Sequence, residues 1–171
     1  MIDAAGVRSS IEKQGMSVRQ LAKVIGTLYP YMSFWTKRDS TVSDLVAMVR
    51  EYNYPVGVNW QGIFEYEHVQ EYPDESEDEH ESGLSGQEGH YSVLVDLDTM
   101  SNYVQLVDPY GHYAGRDRFI KIQEFLTRWW DDNYETDPLT GGHKYVYESR
   151  LMFTILPKSI TFPEELGMVR E

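Results

Sequence analysis

The sequence predicts an α+β domain, and three observations carry that prediction. Apolar residues recur at helical spacing through the first third of the chain. Short β-branched and aromatic runs separated by turn formers dominate from residue 55 onward. The two kinds of pattern are largely segregated, as helices packed on an antiparallel sheet require. No internal repeat is visible, and 1–171 is expected to form a single domain with an acidic loop insertion at about 65–88.

The elements follow in order. "AGVRSSIEKQG" (5–15) places Val7, Ile11 and Gln14 on one side, and Gly15 is suited to end that helix. "SVRQLAKVIG" carries Ser17 as N-cap, an apolar set of Val18, Leu21, Val24 and Ile25, and Gly26 as its stop. A third helix starts at Thr41, with Asp44 completing a capping box. Val42, Leu45, Val46, Val49 and Tyr52 form its apolar set, and it ends before Pro55. "PVGVNW" (55–60) reads as a strand. "YSVLVDL" and "YVQLVD" flank the turn formers "DTMSN" and so read as a hairpin. "RFIKI" is a further strand, and "QEFLTRWWDD" a short helix whose core residues are Phe125, Leu126, Trp129 and Trp130. After a loop, "ETDPLTGGH", the run "YVYESRLMFTIL" reads as one long final strand.

Composition excludes several function classes. With a net charge of −13 the chain repels phosphate, so nucleic acid is not an expected partner. No apolar run is long enough to span a bilayer. "MIDAAGVRSS" has no basic start or apolar core, so no secretory signal is expected and a cytoplasmic location is favoured. The absence of cysteine removes disulfides and thiolate metal sites. "EYPDESEDEHESG" (71–83) carries seven carboxylates and reads as a solvated loop, with a cation site or a dock for a basic partner as the alternative. It lacks the ligand spacing of an EF-hand. No metal or nucleotide motif occurs, and no cofactor is expected. His112 and His143 lie beside glycines in expected loops, and His68 and His80 flank the acidic run.

Chemistry concentrates in "GHYSVLVDLDTMSNYVQLVDPYG" (89–111). A hairpin closed symmetrically about Met100 sets His90 opposite Tyr110 and Ser92 opposite Asp108, all on one face. His90 and Asp108 are then diagonal neighbours, roughly 6–8 Å apart at Cβ, a gap their side chains can close. A carboxylate there fixes the imidazole tautomer and stabilises the imidazolium, as the third member of a catalytic triad does. The same residues also fit plainer roles: a surface histidine, and an Asp-Pro turn at a strand end.

The order of these segments resembles the bacteriocin-processing, double-glycine-leader group of papain-like cysteine peptidases and their stand-alone peptidase-like relatives. "AGVRSSIEKQGMSVRQLAKVIGT" (5–27) resembles the layout in which a Cys-Gly-Pro motif opens the first helix. "STVSDLVAMVREYNYPV" resembles the helix that leads into a strand, and "GHYSVLVDLD…YVQLVDPYG" the histidine and Asp-Pro segments. "FIKIQEFLTRWW" resembles the helix that follows them. The resemblance covers most of residues 5–130, without the acidic insertion. It implies a papain-like fold and peptide-bond hydrolysis by a Cys-His-Asp triad on a peptide or protein substrate. His90 matches the general base and Asp108 its orienting partner. Ala5 falls on the nucleophile position, Gly6 on the family glycine, and Val7 where proline is usual. No residue before Ala5 matches the glutamine of the oxyanion hole.

The loss at position 5 matters because a helix N-terminus and an imidazolium together stabilise a thiolate. Alanine has no lone pair, so the chain as written is expected to be inactive. Three readings stay open: a peptidase carrying an engineered Cys-to-Ala change, a natural pseudopeptidase that binds peptides or proteins, and an unrelated α+β interaction domain.

Overall fold

The computed structural model describes residues 16–63, 89–109, 113, 115–136 and 141–171. Over these residues the chain combines short helices with a seven-stranded antiparallel sheet, an α+β arrangement. The expected helix at 5–15 and the acidic run at 71–83 lie outside the described residues.

Helix α1 (Val18–Leu28) begins with a reciprocal capping box: the Gln20 amide donates to Ser17 Oγ, and the Ser17 amide to Gln20 Oε1. It runs two residues past Gly26, where nothing crowds a Cβ. Strand β1 (Met32–Lys37) follows. Sequence reading misses it because Ser33, Phe34, Trp35 and Thr36 are all buried, so both faces are covered and alternation disappears. Helix α2 (Val42–Val46) starts at the expected Thr41–Asp44 capping box and continues as a π-helical turn over Ala47–Glu51. Strand β2 (Val56–Gln61) then enters the middle of the sheet.

Strands β3 (Gly89–Asp98) and β4 (Tyr103–Val107) form the predicted hairpin. Val93 faces Val107 and Leu94 faces Leu106, as symmetric closure about Met100 requires. A bulge between Leu94 and Asp96 shifts the register by one nearer the turn. β5 (Asp117–Lys121) and α3 (Ile122–Arg128) come next. The expected helix of residues 123–132 stops early, and Trp130 opens a strand instead. β6 (Trp130–Thr136) pairs with β7 (His143–Ser149) in a separate two-stranded ribbon. His143 therefore belongs to a strand rather than a loop. The long final strand is two: Arg150 adopts a left-handed φ of 47°, and its amide donates to Trp129 O before β8 (Met152–Pro157) begins. A 3-10 turn at Phe162–Glu164 leads to β9 (Val169–Arg170).

The sheet order is β5-β4-β3-β2-β8-β1-β9. One face carries Val56, Val58, Trp60, Leu94, Leu106 and Ile120. Leu45 and Met48 from the α2 region and Phe125 from α3 pack against it. The other face carries Phe34 and Phe153, covered by Val18, Leu21 and Ile25 of α1. Gly57 is needed beneath the Phe153 ring, which occupies the space of a Cβ there. Trp129 is core as expected, whereas Trp130 is half-buried and stacks on Tyr147.

Candidate functional site

Three neighbouring strands deliver three polar side chains to one end of the larger core. His90 lies opposite Trp60 in the β2–β3 ladder and so shares its inward face. Asp108 follows the last paired residue of β4 and precedes Pro109, where the ladder stops. Arg118 faces Leu106 across β4 and β5, which turns it inward as well. The pleat thus converts three distant positions into one cluster.

The geometry is tight. His90 Nε2 lies 2.6 Å from Asp108 Oδ1, and Arg118 Nη1 donates to Asp108 Oδ2 at 2.6 Å. Arg118 Nη2 donates to Ile63 O at 2.8 Å. The guanidinium carbon sits 3.8 Å from the Tyr113 ring centroid and 5.4 Å from that of Trp60. Trp60 is fixed in turn, because its indole N–H donates to Ser92 Oγ at 3.0 Å. Its ring centroid lies 6.4 Å from that of His90.

Burial decides the charge state that fits this arrangement. The Asp108 side chain is fully buried, that of Arg118 is 8% exposed and that of His90 15%. A buried carboxylate is tolerable when charge-assisted donors replace its hydration, and the guanidinium supplies one at each nearby lone pair it reaches. An ionised carboxylate only accepts, so the contact fits the tautomer in which His90 Nε2 carries the proton and Nδ1 is the acceptor nitrogen of the neutral ring. The two ring nitrogens exchange the roles they have in the serine protease triad. The chemical capacity is that of an oriented, carboxylate-backed imidazole near the surface.

The structure therefore brings His90 and Asp108 together, while Ala5, His68, His80 and His112 lie outside the described residues. Sequence reading missed Arg118, Trp60 and Tyr113. The alternation of "DRFIKI" held a signal for Arg118, since it shares a face with Ile120, which is buried against the core. An open groove of about 600 Å³ runs along β5 beside this cluster; Ile63, Tyr113, Arg116 and Arg118 line its inner end.

A second buried polar cluster backs the start of β3. Asn59 Nδ2 donates to Asp131 Oδ2 at 2.9 Å and to Glu148 Oε2 at 3.4 Å. Gln61 Nε2 donates to Asp131 Oδ1 at 3.2 Å, and Arg38 Nη2 to Glu148 Oε1 at 2.7 Å. The Asp131 carboxylate lies against Gly89, in the space a Cβ would take, immediately before His90 in the chain. This cluster ties the β6–β7 ribbon to β2 and fixes the strand that carries the histidine.

No family model, no curated protein and no solved structure matches the chain. Among the described residues no helix is long and apolar enough to cross a membrane.

Proposed function

We propose that the chain is a papain-like cysteine peptidase scaffold, with His90 as the general base, Asp108 as its orienting partner and Ala5 at the nucleophile position. The observation that carries this reading is the 2.6 Å contact between His90 Nε2 and a fully buried Asp108 carboxylate. An acid–base imidazole gains a fixed tautomer and orientation from such a partner. A thiol at position 5 would lose its proton to His90 Nδ1 and attack the peptide carbonyl carbon. The C–N bond would then break as the imidazolium returned the proton to the leaving amine. Water would release the acyl group and restore the thiol. With alanine at position 5, neither covalent step can occur.

The experiment is Ala5→Cys followed by iodoacetamide alkylation across pH. The expected result is rapid alkylation well below the ordinary thiol range, slowed when His90→Ala is added. Sluggish alkylation indifferent to His90 counts against the triad.

The second reading is a natural pseudopeptidase, a peptide- or protein-binding module. Ala5 and Val7, which depart from the family pattern at adjoining positions, favour it. A pseudopeptidase binds peptide without any substitution, and its Ala5→Cys variant remains inactive. An engineered variant regains hydrolysis.

A further inference from the structure

We propose that Arg118 is the positioning residue of the His90–Asp108 pair, holding the carboxylate so that Oδ1 stays aimed at His90 Nε2. The inference rests on the acid–base reading of the pair but is tested without any thiol. An aspartate carboxylate turns about its last side-chain torsion with little resistance. Asp108 lies one residue beyond the end of β4 at Val107, and Pro109 follows. Arg118 supplies the brace, occupying Oδ2 at 2.6 Å while His90 sits on Oδ1.

The brace is itself held on several sides. Its other terminal nitrogen bonds to the carbonyl of Ile63, the Tyr113 ring lies under the guanidinium carbon, and the Trp60 ring lies beside it. A planar fork clamped at both nitrogens and against two rings transmits little freedom to its carboxylate. Trp60 also stands in register with His90, so the same ring borders both ends of the relay. The cation additionally keeps Asp108 ionised in a buried place, and only the ionised carboxylate demands a proton on Nε2. His90 meets these groups from β2, β4 and β5: Trp60, Asp108 and, through Asp108, the Arg118 charge. Arg118 touches no reacting atom in this arrangement and acts only through Asp108.

The test reads the tautomer of His90 by long-range nitrogen–proton correlation, in solution alkaline enough that the nitrogen shifts themselves report the neutral ring. Comparison with His90→Ala assigns the signal. The unsubstituted chain is expected to show the Nε2–H tautomer in large excess. In Arg118→Gln the Nε2–H share falls measurably toward that of an unconstrained histidine, and Arg118→Lys restores part of it. Because Arg118→Gln empties a buried ion pair, its melting curve is recorded alongside. If it fails to fold, Arg118→Lys and Tyr113→Leu carry the test, each with a measurable loss of the Nε2–H form. A tautomer ratio that ignores substitution at Arg118 or Tyr113 in folded protein overturns the proposal, leaving Arg118 merely structural. The two readings fail separately. If the Ala5→Cys thiol behaves ordinarily while the tautomer follows Arg118, the peptidase reading falls and the positioning stands. If the tautomer is indifferent, the positioning falls whatever the thiol does.

Discussion

Asp108 accepts from two cationic or proton-bearing partners at once, so its removal and that of His90 should not cost alike. Asp108→Ala strands the Arg118 cation in the interior, a loss of about 3–5 kcal/mol when one member of a buried pair is deleted. His90→Ala removes one hydrogen bond from a carboxylate that keeps its guanidinium, a cost of about 1–2 kcal/mol. Urea unfolding of the two variants checks the order, and equal midpoints would contradict it. Gly89 makes the second case at this scale. The Asp131 carboxylate occupies the position of its missing Cβ and is itself held by the Asn59 and Gln61 amides. Gly89→Ala therefore overpacks a buried spot and is expected to cost about 1–3 kcal/mol in the same measurement. His90 and Asp108 were legible in the sequence because hairpin symmetry places them with no knowledge of other strands. Arg118 was legible only as an inward-facing position of "DRFIKI", and its partner and that of Gly89 were not, since Asp108 and Asp131 come from other strands whose approach no local pattern encodes.

At the scale of elements, local chemistry predicted starts better than ends. Two of the three described α-helices carry the capping boxes expected at Ser17 and Thr41, because a cap is decided within four residues. The ends of α1 and α3 were misjudged: α1 runs past Gly26 and stops before Pro30, and α3 stops at Arg128, ahead of Trp129 and Trp130. The α2 cap has a titratable member. Burial pulls the Asp44 carboxyl upward, but Lys37 Nζ, the Thr41 amide and the Thr41 hydroxyl outweigh it and hold it below the usual range. A folded value below the unfolded one means the stabilisation is full above the unfolded carboxyl range, near about pH 4. It fades as pH falls through the lowered folded value. Asp44→Asn should accordingly be less stable than the parent at neutral pH, with the gap narrowing as the solution is acidified below that range. Thermal melts of both proteins across pH 7 to 2.5 (roughly the span between neutral solution and a lowered carboxyl) check the sign, and a gap that widens in acid refutes it. The strands show the complementary limit. β3 and β4 announce themselves by alternation, whereas β1, covered on both faces, mixes Ser33 and Thr36 with Phe34 and Trp35 and shows no alternation.

Across the whole molecule, the sheet order was the part the sequence concealed. β1 lies between β8 and β9, and β2 between β3 and β8, so the two ends of the described chain close on each other through pairings of long separation. Such neighbours are chosen by which buried faces fit together, a property of the assembled core. The β6–β7 ribbon stands apart from that ladder and meets the sheet through side chains: Asn59 and Gln61 on Asp131, Asn59 on Glu148, and Arg38 on Glu148. Two buried carboxylates across one strand pair repel unless donors lie between them, and Asn59 Nδ2 is shared by both. Asn59→Leu should therefore loosen the ribbon before the sheet. Hydrogen exchange is expected to accelerate across residues 130–149 at a denaturant concentration where β2, β3 and β4 keep their protection. Loss of protection in both at the same rate would mean that the ribbon and the sheet open as one unit. In that case the fixing of β3, and with it His90, would depend on the whole core and not on this polar joint.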